Sequence, residues 1–202
     1  MIDKIPHIPG ATPIDDISGL KIRSINTLGQ LYEAEFENTA KAVSKYLVSK
    51  PTNRMAPFNL NWIKKLHREM FGDVWTWAGK IRQTEKNIGI KPFQIETSLQ
   101  DLLDDLFVWQ NRDMDLIEQA ATLHYKAVFI HPFDNGNGRW ARLLANIWLK
   151  KNSGIVTVWP ENDMTKGTSK IRDEYLQALK AADNGSYDKL IDIHRRYTET
   201  KE

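Results

Sequence analysis

Beyond Asn26, apolar side chains recur at intervals of three and four through almost every segment of the chain, the spacing that gives a helix one buried stripe. Phe36, Ala40, Val43 and Leu47 define the first stripe, and "NWIKKLHREMF" opens the second after Pro57 and Asn59. "TSLQDLLDDLFVWQNR" predicts a third helix capped by Thr97 or Ser98. Ile117, Ala120, Ala121, His124 and Val128 share one face of a fourth, which Pro132 must stop because the residue before proline avoids the helical region. A fifth runs from near Gly136 to about Lys151, with Leu143, Leu144, Ile147 and Trp148 inward. "TSKIRDEYLQALKAAD" and "YDKLIDIHRRYTE" supply two more, split by Asn184 and Gly185. Only "IRQTEKNIGIKPF" breaks the rhythm: two strand-like pieces flank Asn87 and Gly89, and Pro92 closes them. The expectation is an all-α bundle over residues 26–202 with one small β-hairpin, preceded by an extended, proline-dotted arm over residues 1–25.

A chain of 202 residues is long enough to bury a sizeable core. A formal charge of only +2 does not indicate nucleic acid as a partner. The absence of cysteine excludes a disulfide framework and thiolate zinc sites. The opening residues lack the apolar run of a signal peptide, and no stretch is apolar enough to span a bilayer, so a cytoplasmic protein with no membrane partner is expected.

The chemistry concentrates in "HPFDNGNGRWAR", residues 131 to 142. Gly136 and Gly138 flank Asn137 where a helix begins, so backbone N–H groups and the helix dipole favour an anion there, above all phosphate. Arg139, Arg142 and Asn146 follow on one face of that helix, and two guanidinium forks suit two phosphate groups. His131, on the opposite lip, carries the side chain best matched to taking a proton near neutral pH. A base beside an anion cradle points to phosphoryl or nucleotidyl transfer. His124, two turns earlier, lacks metal-site spacing and reads as a satisfied core residue.

These residues resemble the signature of the Fic (Fic/Doc) family, H-x-F-x-[D/E]-G-N-[G/K]-R followed by a second arginine: His131, Phe133, Gly136, Asn137, Gly138, Arg139 and Arg142 occupy its positions. "LHYKAVFIHPF", "LLANIWLKKNSG" and "FGDVWTWAGKIR" resemble the flanking segments, so the likeness covers roughly residues 55 to 155; "TEKNIGI" together with "HPFDNGNGR" further resembles the branch named mobile mystery protein B. The resemblance implies a helical bundle with a hairpin flap, and transfer of AMP from ATP to a Ser, Thr or Tyr hydroxyl of a protein. It makes His131 the base, Gly136, Asn137 and Gly138 the anion hole, Arg139 and Arg142 the phosphate ligands, and Phe133 a core anchor. Thr84, Glu85, Lys86 and Asn87 would dock the target as an added strand. Asn135 stands where the family carries a carboxylate for Mg²⁺; the resemblance still implies Mg²⁺ with the ATP, and the amide leaves open weaker metal use, metal held mainly through phosphates and water, or altered chemistry.

Many relatives carry an inhibitory glutamate, and "EAEFEN" offers Glu37 and Asn38 in the matching places. The implied lock is a two-pronged Glu37–Arg142 pair. Two other functions fit the same residues: hydrolysis of a protein–AMP bond, with Glu37 orienting water, and a nucleotide- or partner-binding module without catalysis. An oligomer is compatible with all three.

Overall fold

The computed structural model describes residues 17–164 and 169–198; of the arm expected over residues 1–25, residues 1–16 lie outside that range. The described end of the arm lies on the bundle. Leu20 bridges Trp75 antiparallel, with Lys21 N–H donating to Val74 at 2.8 Å and Thr76 N–H to Gly19 at 2.9 Å. Ile25 is buried, so the packed body begins before Asn26.

The helices are α1 (Leu28–Leu47), α2 (Leu60–Phe71), α3 (Ile95–Gln110), α4 (Leu116–Ile130), α5 (Asn137–Ser153), the single turn α6 (Glu161–Met164), α7 (Lys170–Asp183) and α8 (Asp188–Tyr197). None is long and apolar enough to cross a membrane. α4 and α5 pack along each other at the centre; α1 and α2 cover α5, α3 lies on α2 and α4, and α7 and α8 pair, with α8 on α4. Trp140 sits at the heart of the main core, fully buried, its indole N–H on the Ile63 carbonyl at 3.2 Å. Trp140→Ala would cost about 3–5 kcal/mol by the usual cavity penalty.

Local chemistry explains most boundaries. Thr27 and Gln30 form a capping box at α1, Asn59 caps α2 on Trp62 N–H, and Asp115 caps α4 on two amides. Gly154, at φ 81°, ends α5. α3 departs from expectation. It follows a short 3-10 turn at Pro92–Gln94, and Thr97 and Ser98 lie inside its first turns rather than capping it.

The buried face of α1 also differs. Leu31, Glu35, Asn38, Ala42 and Tyr46 point inward, while Phe36 is 71% exposed and Val43 38%. An apolar count chooses the Phe36 stripe. The bundle instead buries two polar residues because each finds partners: Asn38 donates to the Glu69 carbonyl at 3.0 Å and accepts from Asp73 N–H at 2.9 Å.

The expected hairpin is corrected as well. Residues 81–91 form no strand pairing. A side chain gathers the loop instead. The buried Arg82 guanidinium donates to the carbonyls of His131 at 2.7 Å, Thr84 at 2.8 Å and Ile90. One five-donor fork thus meets backbone acceptors that a ladder would otherwise satisfy.

Candidate active site

Between α4 and α5 the chain reverses through residues 131–136. His131 closes α4 in the left-handed region at φ 52°, a conformation uncommon outside glycine. Gly136 opens α5 at φ 76°, and a Cβ there would stand 2.6 Å from the Phe71 ring. Glycine is therefore demanded by both dihedral and space. The first turn of α5, Asn137 to Arg139, directs the N–H groups that a helix leaves without internal acceptors toward this bend.

Two buried side chains fix the bend from behind. Asn137 accepts from Phe133 N–H at 2.9 Å and donates back to the Phe133 carbonyl at 2.8 Å, so its amide clamps the loop rather than facing a ligand. His67, which the sequence reading did not single out, accepts from Gly79 N–H at Nδ1 (2.9 Å) and so carries its proton on Nε2, which donates to the Asn135 carbonyl at 3.0 Å. Its ring stacks on Phe133, centroids 3.7 Å apart. Burial pushes its pKa down to about 3, with Arg139 adding to the effect, so the ring stays neutral. The signal that could have revealed it is a lone histidine on the apolar face of "NWIKKLHREMF".

His131 is 5% exposed. Burial lowers its pKa to about 4, with the positive charges of Arg82 and Lys86 helping and a hydrogen bond to the Val128 backbone opposing. The imidazole is neutral at pH 7. The loop is pressed against it: a Cβ on Gly89 would come 2.4 Å from the His131 Cβ. Lys86 pairs with Asp134 at 3.1 Å, joining loop to bend, whereas Thr84, Glu85 and Asn87 face solvent.

Each arginine meets a carboxylate. Arg139 donates from Nη1 to Glu35 Oε2 at 2.8 Å and lies 4.6 Å above the Phe71 ring. Glu35, 2% exposed, also accepts from Trp75 Nε1 at 2.7 Å. Arg142 is buried and held in two-pronged fashion by Glu161, Nε to Oε1 at 2.9 Å and Nη2 to Oε2 at 2.7 Å. Burial works against its charge, and Glu161 more than restores it, with Tyr175 hydrogen-bonded alongside. The Glu37–Arg142 lock is therefore corrected. Glu37 is exposed on the outer face of α1, the carboxylate that reaches the motif from that helix is Glu35, and it takes the first arginine. Asn38 serves the α1–α2 contact. Glu161 was missed because its reach depends on where the 155–164 segment folds back.

Asn146 does not face the bend. Both ends of its amide hold the Thr157 backbone, at 2.9 Å each, which corrects its assignment to the nucleotide. His124 is a core residue, its ring nitrogens on His194 (3.1 Å) and Tyr175 (3.0 Å). Asn135 Oδ1 accepts from Gly136 N–H at 2.5 Å, and Asp134 is turned to Lys86. Among the described residues no cluster of three His, Asp or Glu side chains could hold a cation. With Asn135 Oδ1 on the Gly136 amide and Asp134 on Lys86, a Mg²⁺ at this bend would be held chiefly by nucleotide phosphates and water.

Bundle and bend define a class: helical proteins that set a buried histidine beside a glycine-rich helix start carrying two arginines. Residues 57–149 match the Fic/DOC family model, and that segment is a Fic/DOC family domain. Protein adenylyltransferase fic-1 of Caenorhabditis briggsae is 32% identical over 142 residues, 68% of this chain and 26% of the relative. Protein adenylyltransferase Fic of Nematostella vectensis is 29% identical over 160 residues, 77% of this chain and 36% of the relative. The chain thus spans about a quarter to a third of the length of these curated relatives. Among solved structures, Fic-1 of Caenorhabditis elegans superposes with a TM-score of 0.62 at 27% identity, covering 81% of this chain and 48% of that one. BepC of Bartonella tribocorum, solved with AMPPNP bound, gives 0.65 at 21% identity over 88% of this chain and 90% of its own.

Proposed function

We propose that this chain transfers AMP from ATP to a hydroxyl side chain of a protein. The observation that carries the reading is the neutral, buried His131 at the lip of a bend that ends in the first turn of α5. A neutral imidazole needs no prior deprotonation, so it takes the proton of the target hydroxyl as the oxygen attacks the α-phosphorus. The bond from that phosphorus to the bridging oxygen breaks, and pyrophosphate leaves. Charge on the phosphoryl oxygens meets the first-turn amides of α5 and the guanidinium of Arg139 or Arg142. The relatives named protein adenylyltransferase support the same reaction.

The hydrolytic alternative loses its water-orienting carboxylate, since Glu37 is exposed on the outer face of α1. Glu161 holds Arg142 in two-pronged fashion, so phosphate on that arginine would have to displace or share it, whereas Arg139 gives Glu35 only Nη1 and keeps further donors; any restraint of the resting state runs through different glutamates from the one expected. The solvent-facing Thr84, Glu85 and Asn87 present the loop to a target.

The test is incubation with ATP labelled on the α-phosphate and a cell extract as acceptor. Label on protein that disappears in His131→Ala supports transfer. Label that persists in a folded His131→Ala protein rules out the assigned base.

A further inference from the structure

Beside the loop, α2, residues 79–83 and the start of α3 enclose an open groove of about 770 Å³. This lies within the range of ligand clefts, roughly 300–1,000 Å³, but its lining is charged rather than apolar. Lys64, Lys65, Arg68 and Lys80 are cationic, and Glu96 alone is anionic. Lys64 pairs with Glu96 at 3.2 Å, and Lys65, 60% exposed, reaches Glu69 only at 3.7 Å. Among the described residues neither Arg68 nor Lys80 forms an ion pair. A chain of net charge +2 has thus gathered four cations on one concave surface.

Two details tie the groove to the bend. Gly79, at φ 77°, lets Arg68 lie against the loop, since a Cβ there would sit 2.8 Å from Arg68 Cβ and 3.3 Å from its Nε. From Lys80 the rim runs directly into Arg82, whose N–H donates to the Pro132 carbonyl at 3.0 Å and whose Nε donates to that of His131. At ~3.3 Å per residue, two residues carry the rim ~7 Å from Lys80 to the backbone that holds the imidazole.

We infer that this groove binds an acidic stretch of the protein being modified, a few residues along the chain from the hydroxyl presented to His131. The inference rests on the transfer reading. Charge complementarity selects the occupant. Asn61 and Gln83 supply amide partners for a peptide backbone, and the lining holds no aromatic side chain on which nucleic acid bases would stack.

The experiment is fluorescence anisotropy of a short fluorescein-labelled oligoglutamate peptide, without nucleotide and at low salt. Saturable binding that falls with added salt is expected, weakened roughly tenfold or more in Lys65→Glu/Lys80→Glu, as for two reversed contacts. Lys65→Gln/Lys80→Gln should fall between. Both lysines are exposed, so folding is preserved. No binding by the natural chain, equal binding by the double reversal, or tighter binding of oligothymidylate than of the peptide would each overturn the inference. Label transfer is scored separately. If the natural chain binds the peptide but labels no protein, the transfer reading fails and the groove's preference for acidic peptide stands.

Discussion

Glu161 grips Arg142 through two parallel hydrogen bonds of 2.9 and 2.7 Å, on a guanidinium that is otherwise buried. A buried cation requires a counter-anion, and on the transfer reading a nucleotide phosphate is the one that would compete with Glu161. Removing one partner of a buried pair costs about 3–5 kcal/mol; Glu161 is half exposed, so the lower end or less applies. Glu161→Gln should therefore lower the melting temperature, and saturating ATP should raise it by more than in the natural protein. Thermal melts with and without ATP measure both. A smaller ATP-induced shift in the variant would mean that Glu161 and phosphate do not compete for Arg142.

Glu35 permits a cleaner comparison because it has a neighbour that should do nothing. Glu35→Gln keeps an acceptor for Trp75 Nε1 and removes only the charge facing Arg139. Nucleotide should bind roughly threefold to tenfold more tightly, the worth of one partly exposed charge-assisted bond. Glu37→Gly should leave nucleotide affinity unchanged and cost only a little helix stability. Titration calorimetry with ATP decides. A gain in Glu37→Gly and none in Glu35→Gln would restore the lock that the sequence pattern suggested.

These two glutamates mark how far the sequence could be read. The helices and the bend were legible because each depends on residues close in the chain: Asn59 caps α2, Pro132 stops α4, and Gly136 opens α5. The buried face of α1 was not, because Glu35 is inside only by virtue of Trp75 and Arg139, partners 40 and 104 positions away. The loop over 81–91 misled for a related reason. Its alternating residues suit a strand, but Arg82 reaches His131, 49 positions on, and takes the carbonyls. Periodicity records which side chains avoid water. It does not record which polar groups find each other across the fold.

Arg82 offers a test of that organisation. Arg82→Ala leaves the carbonyls of His131, Thr84 and Ile90 without their donor, and Arg82→Lys cannot replace it, since one ammonium lacks the planar fork. Both variants should open the loop to limited proteolysis between residues 83 and 90. Transfer to protein should fall at least tenfold while ATP binding changes little, since Arg139 and Arg142 are untouched. Equal loss of ATP binding would mean that Arg82 supports the whole bend rather than the loop.

Asn135→Asp puts a carboxylate at the start of α5 and still accepts from Gly136 N–H. A negative charge at a helix N-terminus contributes about 0.3–1 kcal/mol, so the melting temperature should hold or rise slightly. The magnesium concentration giving half-maximal transfer should fall, because this hard cation favours carboxylate oxygen. An unchanged magnesium requirement would show that position 135 does not face the cation.

All four histidines of the described chain are buried, and burial lowers the pKa of every one: to about 3 in His67 and His194, about 4 in His131, and well below the ordinary value in His124. The folded values lie beneath the unfolded value of about 6.5, so between them the unfolded chain binds more protons than the folded one. Stability therefore rises with pH through that window and is lost as pH falls from about 6 toward 4. Each histidine contributes a slope of up to about 1.4 kcal/mol per pH unit, so several acting together should bring acid unfolding at a mildly acidic pH. Urea midpoints between pH 7.5 and 4.5 measure the slope. His124→Gln or His194→Gln should flatten it, with some loss of stability at neutral pH from the broken pair, whereas a midpoint independent of pH would mean that these rings already carry protons inside the fold. Activity offers a second check. His131, the proposed base, is neutral down to about pH 4, so the rate of transfer in protein that remains folded should not fall with a pKa near 6.5, as a solvent-exposed histidine would require.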